Sequence, residues 1–232
     1  MADNLSGTSI KAFIQKVPEW RDKYLENNMC VFKVEAFIQR DWKNPCLEES
    51  LCEQSHRRVE SLIEQLKGKD EFIHPEDDLE IVYRWGGGRG HNLFAQIKKN
   101  NSSDEIQEQM KAAFSVLADG DPVRALEELK RLKYCSDSFG TKALAMRSPE
   151  SAPIWDEIAK ACLRDFTIGG KKVKSYEQFI RFCEHIAKEL ERPAPRGGGR
   201  WYLRDIEMAI FQFGWDHGKF KGRITGELPL GR

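Results

Sequence analysis

The chain has 232 residues, 40% of them apolar and 10% aromatic, with 37 basic and 37 acidic side chains. It is long enough for one large domain or two lobes with real cores, and its 13 Phe and 6 Trp exclude wholesale disorder. The zero net charge excludes a polycation, but residues 169–232 hold 13 Lys and Arg against 8 Asp and Glu, which places any electrostatic footprint toward that end.

Most segments read as helix. Ser9 to Lys16 is a short one that Pro18 is expected to break. From Trp20 to Trp42 apolar residues recur at three- and four-residue steps, and Glu48 to Leu66 repeats the pattern. Leu79 to Tyr83 alternates and carries β-branched residues, as a short strand would. The glycines Gly86, Gly87, Gly88 and Gly90 then speak against regular structure, and Leu93 to Lys99 is a short element at most. Asn100 to Ser103 reads as a turn that caps a helix over Glu105 to Ala118, and Asp121-Pro122 starts another that runs to Lys133.

Beyond Leu163, Thr167 to Lys174 is a loop or small hairpin, and Ser175 caps a helix to Leu190 with Phe179, Phe182, Cys183, Ile186 and Leu190 inward. Pro193 to Gly199 is a connector. Trp201 to Phe213 is the last strong helix, ended by Gly214, and from Gly218 onward the chain reads as a polar tail. The fold class expected is mainly α, with at most a short strand or hairpin.

No apolar run is long enough to span a bilayer, and Met1 to Thr8 lacks the charged and apolar regions of a signal peptide, so a cytoplasmic protein is expected. The six cysteines (Cys30, Cys46, Cys52, Cys135, Cys162 and Cys183) form no CxxC pair, and reduced, buried thiols are the expectation. The five histidines do not stand at ligand spacing beside them, so neither metal nor cofactor is expected.

Residues Ser136 to Leu163 (SDSFGTKALAMRSPESAPIWDEIAKACL) hold the most specific pattern. Ser136 or Asp137 can cap a helix from about Phe139 to Arg147 with Lys142 in its first turns. Pro149 and Pro153 stiffen the connection, and Asp156 stands where a second helix, Glu157 to Leu163, begins. An aspartate in that position is also an ordinary N-cap, and a lysine in a helix turn is usually just solvated.

Phe139-Gly140-Thr141-Lys142 and Pro153-Ile154-Trp155-Asp156 resemble the helix-hairpin-helix DNA glycosylase superfamily, in its bacterial branch with the 8-oxoguanine glycosylase fold. In place of that superfamily's LPGVG hairpin the chain has Cys135 to Gly140, and its lysine and aspartate stand fourteen positions apart, closer than in the eukaryotic enzymes. The resemblance implies a two-lobed helical fold with a degenerate helix-hairpin-helix. Its parts would be an N-terminal lobe over residues 1–120 with a Gly-rich loop at 84–92, a catalytic region over 121–192, and a C-terminal helix and tail over 193–232.

The resemblance further implies a monomer that binds double-stranded DNA, flips out a modified base and excises it, with Asp156 as the catalytic carboxylate and Lys142 in the lysine slot. A fixed carboxylate suits the positive charge that builds on the sugar, and a helix N-terminus favours its anion. A neutral Lys142 would attack C1′ and give strand cleavage as well, whereas a protonated one would only position the phosphate or the leaving base. Repair of oxidised guanine, defence against phages with modified cytosines, and a non-catalytic DNA-binding module of the same fold are all compatible with these residues.

Two glycine triads share a Gly-Gly-Gly-Arg core with a further arginine just ahead of it: Arg84 to Asn92, with Trp85, Arg89 and His91, and Arg196 to Trp201, with Arg200. Their glycines let a backbone approach phosphate and their arginines supply charge, so Arg84, Arg89, His91, Asn92, Arg196 and Arg200 are candidate DNA contacts; two hydrated surface loops explain them as well. By the same resemblance a helix late in the chain lines the base pocket. That makes Asp205, Glu207, Phe211 and Trp215, together with Trp85 and Phe139, candidate pocket residues.

Overall fold

The structure is a computed structural model that describes residues 7–28, 88–190, 194, 200–218 and 221–228. The helix expected over Glu48 to Leu66, the strand over Leu79 to Tyr83 and the Pro193 to Gly199 connector, Ala194 apart, lie outside the described residues. The chain divides into two compact units, residues 25–148 and residues 1–24 with 149–232.

The described part of the first unit is helical. It contains α2 (Gly88–Asn100), α3 (Ser103–Ala118), α4 (Pro122–Leu129) and α5 (Asp137–Arg147). Helix α3 starts where expected because Ser102 and Glu105 close a reciprocal capping box, and α4 starts on the Asp121 cap with Pro122 in its first turn. Ile106, Met110, Ala113, Phe114 and Leu117 form the buried stripe of α3, against which α4 packs. One expectation is corrected here: the glycine run does not exclude regular structure, since α2 begins at Gly88 and includes Gly90. Each glycine costs a helix about 1 kcal/mol, and burial of Phe94 and Ile97 further along outweighs it.

The other unit is built around α8 (Leu203–Asp216), which packs on α6 (Glu157–Cys162) and α7 (Tyr176–Glu189). Ser175 and Gln178 form the capping box that starts α7, and Phe179, Phe182, Cys183 and Ile186 are buried as expected, with Leu190 half-buried. Helix α1 (Ile10–Asn28) continues through Pro18, where a break was expected. Its buried residues Phe13, Val17, Arg21 and Tyr24 fall three or four apart, and Phe13 and Trp20 both meet the Phe213 ring of α8 edge-on. That packing holds a helix whose proline costs about 3 kcal/mol.

The expectation of at most a hairpin is corrected as well. Strands β1 (Thr8–Ser9), β2 (Phe166–Ile168), β3 (Lys171–Lys172) and β4 (Ile224–Leu228) form one mixed sheet in the order β1-β4-β2-β3. The β2–β3 hairpin is antiparallel, whereas β4 runs parallel to both neighbours, pairing Ile224 with Thr8 and Gly226 with Phe166. The segment read as a polar tail therefore supplies a central strand, with Ile224 and Leu228 buried.

Candidate functional site

Helices α4 and α5 are joined by residues 130–136, in which Tyr134 takes a left-handed backbone (φ 69°) and stands exposed. Lys130 reaches across this connection to Glu127 and Asp137, at 3.0 and 3.2 Å. Ser136 caps α5 only by position, with no side-chain hydrogen bond to the helix. Gly140 lets α5 settle on α4, because a Cβ there would lie 2.6 Å from Leu126 Cδ1.

The Phe-Gly-Thr-Lys segment is interior rather than exposed. Thr141 is fully buried and its Oγ1 donates to the Asp137 carbonyl at 2.7 Å, while Phe139 and Lys142 are each 8% exposed. The Lys142 ammonium lies 4.5 Å from the centroid of the Phe139 ring, a cation–π arrangement in which a long aliphatic stem is buried with its head. A lysine seldom occupies such a position without a reason beyond solubility.

In the other unit, Ala152, Pro153, Ile154 and Trp155 are buried and lead directly into Asp156. Trp155 packs at 4.6 Å on Phe179 of α7, which fixes the chain just ahead of the carboxylate. Asp156 is the N-cap of α6, and its Oδ1 accepts from the backbone N–H groups of Ile158 (3.0 Å) and Ala159 (2.9 Å). Both donors on one oxygen hold the half-buried carboxylate in a single orientation and favour its anion. At the far end of α6, burial first and the Asp156 charge second push the Cys162 thiol up to about 12. Cys162 is thus an inert donor, directed at the Ile210 carbonyl of α8.

On α8 the candidate pocket residues fall into two groups. Asp205 and Glu207 are each 1% exposed and are held in ion pairs: Arg21 Nε bonds Asp205 Oδ1 at 3.1 Å, and Arg204 pairs with Glu207. Arg204 also donates to the Tyr24 hydroxyl at 2.9 Å, so these charges tie α8 to α1. Phe211 and Trp215 lie further along. Their rings stack 6.0 Å apart and 11° from parallel, Tyr24 meets Phe211 edge-on, and Trp215 is 50% exposed.

Of the arginine-glycine candidates, Arg200 is exposed in the bend ahead of α8, and Arg89, His91 and Asn92 belong to the first turns of α2. Arg84, Trp85 and Arg196 lie outside the described residues. No group of three or more His, Cys, Asp and Glu side chains able to hold a metal occurs among the described residues. Among them, too, no helix is long and apolar enough to cross a membrane.

One feature was not anticipated from the sequence. An open groove of about 620 Å³ borders α6 and the β2–β3 hairpin, with Lys160, Arg164, Lys172 and Lys174 on its walls. Its local signals are the four-residue step from Lys160 to Arg164 and the basic run Lys171-Lys172-Val173-Lys174, inside the C-terminal excess of positive charge.

A family model described as "Putative 8-oxoguanine DNA glycosylase OGG-like protein" matches residues 75–211, a span that includes both Lys142 and Asp156. No curated protein and no solved structure matches the chain.

Proposed function

Since the chain belongs to this 8-oxoguanine DNA glycosylase-like family, a base-excision family by its description, we propose that it is a DNA N-glycosylase that flips a modified base from duplex DNA and leaves an abasic site. The observation that carries this reading is the Asp156 carboxylate, oriented by two backbone N–H groups at the start of α6 behind the buried Pro-Ile-Trp wall.

As the N-glycosidic bond lengthens, positive charge grows on the deoxyribose and negative charge on the departing base. Asp156 supplies a fixed negative charge against the sugar and, needing no reorganisation, stabilises the transition state more than the ground state. Water, or an amine in a lyase reaction, then takes C1′. Lys142 takes the family's lysine position, and Phe139 is its aromatic neighbour. On α8, the Phe211–Trp215 stack offers a face for an extruded base, whereas Asp205 and Glu207 act from within the ion pairs that fix that helix. The arginines of the two glycine triads are assigned to the DNA backbone, in a degenerate helix-hairpin-helix enzyme acting as a monomer.

The family description names 8-oxoguanine, which makes oxidised guanine the first substrate to offer; modified cytosines of phage DNA are the second. The test scores abasic sites in duplexes carrying 8-oxoguanine, glucosylated hydroxymethylcytosine or only normal bases, with wild-type protein and Asp156→Asn. Asparagine caps a helix as well as aspartate does, so the variant keeps α6 while losing the charge. We expect one modified duplex to be cut by the wild type and excision to fall about a hundredfold or more in the variant, with DNA binding retained. Equal excision by the two proteins, or DNA binding without excision of any base, would overturn the reading; the second result would leave a non-catalytic DNA-binding module.

A further inference from the structure

We propose that the groove between α6 and the β2–β3 hairpin is a second DNA contact, which holds the phosphodiester backbone of the same duplex beside the extruded nucleotide. The proposal rests on the glycosylase reading above and adds a partner surface to it.

The groove is strongly one-signed. Lys160, Arg164, Lys172 and Lys174 line it, with Glu157 as the one carboxylate among its lining residues. Glu157 is already engaged, pairing with Lys160 at 2.9 Å, and among the described residues Lys172 has only a distant partner in Asp165 at 3.9 Å. Arg164 and Lys174 are exposed and form no ion pair among the described residues. Cations gathered around one groove without matching carboxylates repel one another, so a polyanion that displaces their counterions binds with a net gain.

A protein partner fits less well. Interfaces between proteins draw their energy from aromatic and apolar anchors at a buried centre. Here Trp155 and Val173 border the groove but are 2% and 5% exposed, so they offer no anchor. A phosphate backbone asks only for charge and hydrogen-bond donors at intervals.

Position favours the same duplex. Lys160 lies one helical turn beyond Asp156, about 6 Å of rise at 1.5 Å per residue. Successive phosphates of one strand advance about 3.4 Å along the duplex axis. A strand whose sugar meets Asp156 would thus reach the groove within about two base steps.

The experiment titrates wild-type protein and Arg164→Gln/Lys172→Gln/Lys174→Gln with a labelled duplex at several salt concentrations, using the full chain. Loss of three phosphate contacts should weaken binding about tenfold or more on every sequence and lower the slope of log affinity against log salt by about 3. The charge-conserving variant Arg164→Lys/Lys172→Arg/Lys174→Arg should restore both. Should the neutral variant fail to fold, mass-spectrometric mapping on the wild type replaces it: bound duplex should shield Lys172 and Lys174 from acetylation. An unchanged salt slope, or acetylation of these lysines that duplex does not slow, overturns the groove as a DNA contact. If the wild type excises a base while the slope is unchanged, only this proposal fails. If Asp156→Asn leaves excision intact, the glycosylase reading fails instead.

Discussion

Gly214 of α8 faces the Cys162 thiol of α6 so closely that a Cβ at position 214 would lie 2.6 Å from Sγ, and as near to Cγ2 of Ile158. The expectation that Gly214 ends the last helix is corrected by this contact, because α8 continues through it to Asp216. Glycine stands there so that α6, and with it the Asp156 cap, can lie against α8. Gly214→Ala should force the two helices apart, at a cost of about 1–3 kcal/mol for overpacking. In a chain of this size that lowers Tm by roughly 2–4 °C per kcal/mol. Thermal unfolding followed by circular dichroism checks it, and excision should fall as Asp156 moves with α6. An unchanged Tm would mean that the helices adjust freely.

The parts of this chain that were legible in its sequence are those whose determinants lie within a few residues of one another. Ser102 with Glu105, Ser175 with Gln178, and Asp156 with the N–H groups just after it are local constellations, and the helices they start lie where the sequence places them. The parts it concealed depend on partners far along the chain. Strand β4 carries a glycine and two polar residues between Ile224 and Leu228, and it is a strand because Thr8 and Phe166 flank it. Asp205 and Glu207 stand out as charges in an apolar helix, but nothing near them in the sequence announces that Arg21 of α1 approaches Asp205. The same holds for the groove, whose cations come from a helix and from a hairpin that follows it.

Cys162 supplies a prediction about alkaline pH. Its folded value, pushed up to about 12 by burial and by the Asp156 charge, lies above the ordinary 9.0. The folded protein therefore holds this proton more tightly than the unfolded chain does. The stabilisation is complete below pH 9 and is lost as pH rises toward 12. Burial drives Cys183 and Tyr176 in the same direction, well above their ordinary values. Urea midpoints measured from pH 8 to 11 should fall in the wild type and fall less steeply in Cys162→Ala, whose value at pH 8 is lower because a buried side chain is truncated. Parallel curves for the two proteins would show that the thiol proton is not coupled to folding.

On the glycosylase reading proposed above, Lys142 is the residue expected to decide whether base removal is accompanied by strand cleavage. Lys142 is 8% exposed with its Nζ over the Phe139 ring, and it must give up its proton before that nitrogen can act as a nucleophile. If its Nζ attacks C1′ as the base departs, loss of a proton from nitrogen and opening of the sugar ring leave an imine between lysine and deoxyribose. Borohydride delivers hydride to that imine carbon and fixes the protein to the DNA as a secondary amine. With a substrate duplex identified by the abasic-site assay, borohydride should yield a covalent adduct of protein and DNA in the wild type. Lys142→Gln should yield none, while Asp156→Asn should slow adduct formation by the same factor as base release. An adduct that survives Lys142→Gln would assign the imine to another amine. Rapid base release by the wild type with no adduct would make the enzyme a simple hydrolase in which Lys142 only positions the substrate.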